Sequence, residues 1–464
     1  MRKIIFCLLA VVCFQLVNAA PVDKLSARNF AAIFWNNTCC ENRNALSSND
    51  FEDVTEAVGL SHLYIFRPTI GQGFIILSAD DCARPILAYS NESNFDANNI
   101  PQSVYDWLWG YESQIEEAIN AKCEALPEVA QEWDMLKNGY FNLPKSGNSI
   151  SPLITAHWGQ SGYYNTLCPS NTLVGCVAVA MGQVMHYWGH PLHGTGSHTY
   201  TYNGITHSVN FENATYNYAD MPTSLNANNT AVATLLYHCG VAINMEYNSG
   251  SSNAYVLNSN AHPYNAESAL KEFFGYSHQA QGKLRSNFTK DQWIDMLKTD
   301  LDAGQPVIHN GYNASYSGGH CFICDGYNSN TNYFHFNWGM YGNYDGYFDL
   351  DAMTPSSQNF SYNQGGIFGL VPAQEGEGID DFNNTIISLY PNPVNDIVYF
   401  SIQKDVDFTG GTFAIYDLLG NLLMTNKIHS SNFSLDISHL YSGIYFIHIK
   451  SNDHREIVKK IIKK

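Results

Sequence analysis

Two hydrophobic rhythms alternate along the chain. In "TLVGCVAVAMGQVMHYWGH", residues 172–190, apolar side chains recur at Val177, Ala180, Met181, Val184, Met185 and Trp188. That spacing is one face of a helix. "SVYDWLWGYESQIEEAINAKCEAL" repeats it with Val104, Leu108, Tyr111, Ile115 and Ile119, and "NTAVATLLYHCGVAINM" predicts another helix. Elsewhere the runs are short and bounded by turn residues. "LYIFRP" and "GFIILSADD" read as early strands. "QPVIHNGYN", "GGHCFICDGYN", "NYFHFNWG" and "DGYFDL" read as later ones, and "IISLYPNP", "DIVYFSIQ", "TFAIYDLLG" and "GIYFIHIKS" as a final set.

Polar joints at "NLPKSGNSISP" (142–152) and "AQEGEGIDDFNN" (373–384) separate these groups. They predict a first α+β unit over 20–145 and a main unit over 146–375. In the main unit helices precede strands without βαβ alternation, which predicts an α+β fold. The last unit, 386–464, reads as a small β-sandwich. At the start, Arg2 and Lys3 precede an apolar run from Ile4 to Val17, then Ala19 and Ala20. This predicts a signal peptide over 1–19, too short to span a membrane, and an exported mature protein.

Charge narrows the partners. Acidic residues outnumber basic ones 42 to 23, and such a surface repels phosphate backbones, so no nucleic-acid partner is expected. Of eleven cysteines, Cys7 and Cys13 fall in the signal peptide. The odd number that remains implies at least one free thiol or an intermolecular bond.

Cys176 follows a glycine at the mouth of its helix, where the helix N-terminus favours a thiolate. Taken alone it reads as a buried core residue. A nucleophile needs a base, and His320 is framed for that role by two glycines before it and an apolar strand after it. His186, His190, His193, His198 and His207 lack such a frame. Asn337, 17 residues after His320, is placed to orient the imidazole, with Trp338 beside it as a shield from water. The Cys176 N–H and the Gln160 side chain are the candidate oxyanion donors. A glutamine, a cysteine at a helix start, then His and Asn about 145 and 160 residues later is the order of papain-like sites. The local papain signature is absent. "HCFIC" raises zinc as a rival, but Cys321 and Cys324 lack a second Cys or His pair at metal spacing. No metal or organic cofactor is expected.

The pieces "PLITAHWGQSGYYNTLCP", "GCVAVAMGQVMHYWGHP", "YHCGVAINMEYNSGSSNA", "GGHCFICDGYN" and "FHFNWG…DGYFDL" resemble the streptopain-like cysteine peptidases, peptidase family C10. The resemblance implies a papain-like fold with Cys176 as nucleophile and His320 as general base. It makes Gln160 the oxyanion side chain, and Asn337 and Trp338 the supports of the histidine. It also implies a preference for a hydrophobic side chain two residues before the cut. Two departures stand out: Tyr163-Tyr164-Asn165 where the family usually has Pro-Tyr-Asn, and Met340-Tyr341-Gly342 where it tends to have Trp-Gly-Gly. "GFIILSADDCARPILAYS" resembles the family's inhibitory propeptide. "LYPNPVNDIVYF", "YDLLGNLL" and "LYSGIYFIHI" resemble a type IX secretion sorting domain.

The expected protein is therefore a secreted cysteine endopeptidase made as a zymogen, released or attached at the cell surface. Its partners are protein or peptide substrates, its own propeptide as inhibitor, and secretion machinery through the C-terminal unit. Two other readings stay open on the residues: a catalytically degenerate surface-binding protein on a peptidase fold, and acyl transfer to an amine by the same Cys–His–Asn set.

Overall fold

The structure is a computed structural model. It describes residues 19–39, 45–143, 148–259, 261–312, 319–351, 364–373, 387–390, 393–402, 410–417, 420–430, 432–450 and 456–464. The expected signal peptide lies outside these residues except for Ala19. So do residues 144–147 of the first joint and 374–384 of the second. The described residues fall into two compact units, within Met1–Phe274 and Gly282–Leu370 for the first and Gly275–Gln281 and Val371–Lys464 for the second.

One sheet of ten strands organises the first unit. In chain order its strands are β1 (Phe51–Asp53), β2 (Leu63–Pro68), β3 (Phe74–Ser78), β4 (Ile86–Ser90), β5 (Gln281–Leu284), β6 (Val307–Tyr312), β7 (Gly319–Asn328), β8 (Tyr333–Asn337), β9 (Gly346–Phe348) and β10 (Gly365–Phe368). Across the sheet the order is β1-β2-β3-β4-β9-β8-β7-β6-β10-β5. Strands from both sides of the 142–152 joint thus share one sheet. The seam is the antiparallel pair β4·β9, with Ala88 opposite Phe348 and Tyr89 opposite Tyr347.

Among the described residues, six helices are longer than ten residues: α1 (Lys24–Thr38), α2 (Gln102–Asn120), α3 (Pro127–Lys137), α4 (Cys176–Trp188), α5 (Thr230–Ala242) and α6 (Lys290–Asp302). Asp23 caps α1 by accepting the Leu25 and Ser26 N–H groups at 3.0 Å, and Asn229 caps α5 through the Val232 N–H at 2.9 Å. The predicted stripe of α2 is present: Val104, Leu108, Tyr111 and Ile115 are buried beside Leu297 and Leu301 of α6 and Phe322, Phe334 and Phe336 of the sheet. The sequence pattern put one face of α4 in the core. In fact every residue from Val177 to Met185 is buried. Ala178, Val179, Gly182 and Gln183 complete the circle, and a Cβ at Gly182 would come within 2.6 Å of Leu236 on α5. An all-round buried helix cannot shift without opening the core.

The second unit is a two-layer β-sandwich. One sheet orders Ile387–Tyr390, Ile397–Ile402 and Asn432–Asp436 side by side. The other orders Leu422–Lys427, Thr412–Tyr416, Gly443–Lys450 and Glu456–Lys463. Val398 and Phe400 from the first sheet meet Phe413, Ile415, Ile447 and Ile449 from the second in a separate core, as the alternating strands predicted.

Candidate active site

Cys176 is the first residue of α4, and Gly175 before it holds φ at 90°. That left-handed turn suits glycine, and any Cβ there would run into the Met245 side chain. The turn brings Cys176 onto a cleft of about 420 Å³, whose walls include Glu246, Tyr255, Asn310, His320 and Cys321. Cys176 and His320, 144 residues apart in sequence, therefore face one space. Dense surroundings push the Cys176 thiol pKa up, a rise opposed by the backbone N–H groups of Cys321, Val177 and Cys176 itself.

His320 sits at the start of β7. Its Nε2 lies 3.1 Å from the Trp338 carbonyl. A carbonyl only accepts, so Nε2 carries the hydrogen and Nδ1 keeps a lone pair. Burial lowers the imidazole pKa to about 4, opposed by that carbonyl, so the ring is neutral near pH 7. Trp338 stacks on it at 6.0 Å between centroids and 24° between planes, and Phe322 at 6.3 Å and 15°.

Trp338 is held in turn. Its N–H donates to Oδ1 of Asp345 at 2.8 Å. Asp345 is buried, which raises its pKa against the opposing influence of His157, whose Nδ1 lies 3.6 Å from its Oδ2. His335 and Asp325 pair nearby at 2.6 Å. Asp345 thus fixes the N–H side of the residue whose carbonyl meets His320.

Asn337 does not perform the role its position in the sequence predicted. Its Nδ2 donates to the Ala156 carbonyl at 3.0 Å. Its Oδ1 accepts from Nε2 of Gln183 and from the Gly339 N–H, both at 3.0 Å. The register explains this: Asn337 pairs with Ile323, three residues short of His320. The ring instead reaches the backbone of the next residue. Trp338 does cover the imidazole, and its carbonyl also replaces the expected amide.

Gln160 is half-buried and stands outside the cleft's lining. Its carbonyl accepts the Val174 N–H at 2.9 Å, two residues before Cys176, which brings its turn beside the segment leading into Cys176. Cys321 and Cys324 are buried free thiols within β7. Among the described residues no group of three or more His, Cys, Asp or Glu side chains is arranged to hold a metal.

Three contributors escaped the sequence reading. Gln183 joins Asn337 to the Trp158 N–H, which it accepts at 3.0 Å. Its signal was a lone amide in an apolar helical run. Asp345 was visible only as the first letter of a predicted strand. Trp107 of α2 lies against Phe336, Phe322 and Trp338 at 5.1, 5.8 and 6.0 Å, so the first segment of the chain reaches the rings that hold His320.

The model of the peptidase C10 family matches residues 158–348. That of the Spi protease inhibitor matches 19–115, and that of the secretion system C-terminal sorting domain matches 388–464. Streptopain of Streptococcus pyogenes is 29% identical over 399 residues, 80% of this chain and 96% of that protein. The thiol protease/hemagglutinin PrtT of Porphyromonas gingivalis is 27% identical over 434 residues, 87% of this chain, which spans only 48% of PrtT. A solved fragment of prointerpain A from Prevotella intermedia matches with a TM-score of 0.55 and 32% identity, over 68% of this chain and 97% of that one.

Proposed function

The chain belongs to the peptidase C10 family, and from that premise we propose that Cys176 is its nucleophile and His320 its general base. The protein is a secreted cysteine endopeptidase made as a zymogen, with an inhibitory propeptide and a sorting domain for export across the outer membrane. We assign 1–19 to a signal peptide, 20–145 to the propeptide, 146–375 to the peptidase and 386–464 to the sorting unit. We also propose that secretion machinery binds the last of these. Deleting 386–464 is then expected to stop export while leaving the rate of the purified peptidase unchanged. Export of the truncated chain would contradict this assignment.

The observation that carries the catalytic assignment is the shared cleft. Cys176 opens α4 on one wall, and His320 stands on another with Nε2–H tied to the Trp338 carbonyl. Nδ1 takes the proton of the Cys176 thiol, and the thiolate attacks the scissile carbonyl carbon. The Cys176 N–H and Gln160 stabilise the oxyanion. The imidazolium then protonates the leaving amine, the C–N bond breaks, and a thioester remains. Water attacks that thioester with His320 again as base, releasing the acid and restoring the thiol.

With the propeptide in place, the two groups are held as neutral thiol and neutral imidazole. Propeptide Trp107 belongs to the ring cluster around His320, so its departure loosens and hydrates that cluster. Hydration raises the imidazole pKa and favours the ion pair. Iodoacetamide tests this near pH 5.5, where only an activated thiolate reacts. Cys176 is expected to be labelled in the processed enzyme and spared in the zymogen and in processed His320→Ala. A processed wild type that stays unlabelled at Cys176 would overturn the assignment.

A further inference from the structure

We infer that Tyr341 is a positioning residue for the oxyanion side of the site, clamping the turn that carries Gln160. The inference rests on the reading of Gln160 as an oxyanion donor. It starts from a departure in the sequence, since Tyr341 stands where the family resemblance leads one to expect glycine. Its φ is 60°, a left-handed conformation that disfavours a side chain. A tyrosine persists there only if its surroundings hold it, and strain of this kind gathers at functional sites.

The surroundings are the Trp158–Gly159–Gln160–Ser161 turn. The Tyr341 N–H donates to the Trp158 carbonyl at 3.1 Å. The Tyr341 ring lies over Gly159, where any Cβ would collide with it. The phenol oxygen accepts the Ser161 N–H at 2.9 Å and pairs with the Ser161 hydroxyl at 2.7 Å. Residues on both sides of Gln160 are thus held by one side chain. Gln160 in turn is tied through its carbonyl to Val174, two residues before Cys176. On the other side only Gly339 and Met340 separate Tyr341 from Trp338, whose carbonyl holds His320. Tyr341 therefore bridges the backbone that holds His320 to the turn that carries Gln160. All these contacts lie within the peptidase segment, so loss of the propeptide leaves them in place.

An oxyanion donor works only when it is fixed before the charge develops. Removing the Tyr341 hydroxyl frees the turn at Ser161, and is expected to lower kcat without removing any catalytic group. The test compares wild type, Tyr341→Phe, Gln160→Ala and the double variant as processed enzymes on one peptide substrate. A second protease cuts the 142–152 joint wherever self-processing is slow. Tyr341→Phe is expected to lower kcat about tenfold, the scale of losing such hydrogen bonds. KM, the melting temperature and the rate of Cys176 alkylation are expected to stay near wild type. In the Gln160→Ala background the same change is expected to cost less than about twofold, because residues that act as a unit are not additive. Gly159→Ala, which pushes the ring off from the other side, is expected to reproduce the kcat loss. A Tyr341→Phe enzyme with wild-type kcat, or an equal loss with and without Gln160, would overturn the inference. Should Gln160→Ala alone leave kcat unchanged, the oxyanion reading itself fails, and that outcome is read from a separate variant.

Discussion

His320 and His309 are both stripped of charge by burial, to about 4 and about 3, with Arg285 a further cause at His309. Only His320 has a partner for its ring. Both nitrogens of His309 are buried without a hydrogen bond, among the rings of Trp107, Trp293, Phe322 and Phe336. A histidine whose folded pKa falls below its unfolded value near 6.5 binds fewer protons folded than unfolded. Such a group has no effect on stability above about pH 6.5 and destabilises progressively as pH falls from there to its folded pKa. His309→Phe removes one such group. In the Cys176→Ala zymogen, its melting temperature is expected to exceed the parent's by more at pH 5 than at pH 7.5. Parallel pH profiles would show that His309 charges as freely folded as unfolded. The same scale shows what the sequence could reveal at the site. Cys176 and His320 were legible because a glycine-led helix start and a glycine-framed strand start are local signals. The partner of His320 was not, because it is a backbone carbonyl selected by strand register. Side-chain identity led instead to Asn337, which braces Gln183, Ala156 and Gly339.

Among the elements, the strands quoted from the sequence and α2 were read correctly because turn residues bound them and one face of α2 stays polar, while β1, β4, β5 and β10 were not read as strands. For α4 the periodicity marked one apolar face, since small residues carry too weak a signal to reveal burial on the others. The seam between β4 and β9 was illegible, as nothing local couples Tyr89 to Tyr347. Arg84, between β3 and β4, reinforces that seam. Its Nη1 donates to Asp349 at 2.7 Å, while its Nη2 and Nε reach Glu132 of α3 at 2.7 and 3.1 Å. Its guanidinium lies 4.6 Å from the Tyr333 ring centroid. Burial works to raise the Asp349 pKa, but Lys290 and Arg84 outweigh it and hold the carboxyl below its usual range. The stabilisation this gives is present above about pH 4 and is lost as pH falls through the lowered value. Removing one partner of a buried pair costs about 3–5 kcal/mol, and Lys290, at 3.7 Å from Asp349, keeps the loss at the lower end. Arg84→Met is therefore expected to lower the urea midpoint of the zymogen and to speed propeptide loss. The processed enzyme, which no longer contains position 84, keeps wild-type activity. An unchanged midpoint would mean that the ion pairs contribute nothing to the seam.

For the whole molecule, one sheet joins inhibitor to enzyme while the sorting unit keeps a core of its own. That arrangement suits a zymogen: the propeptide covers a sheet edge and backs the rings around His320, yet it is linked to the peptidase by a joint rich in Ser, Asn and Gly. Composition marked the polar joints at 142–152 and 373–384, and the continuity of the sheet across the first of them was not legible. The central claim is that Cys176 makes this chain a self-processing peptidase. The most direct measurement takes residues 20–464, as wild type and as Cys176→Ala, incubates both under reducing conditions, and follows them by gel and intact mass. The expected result is a wild type that sheds its first unit by a cut within 142–152 and a variant that stays whole. The claim is contradicted if the variant is cut at the wild-type rate. It is equally contradicted if both chains stay intact and the wild type, opened at the joint by another protease, leaves casein uncut.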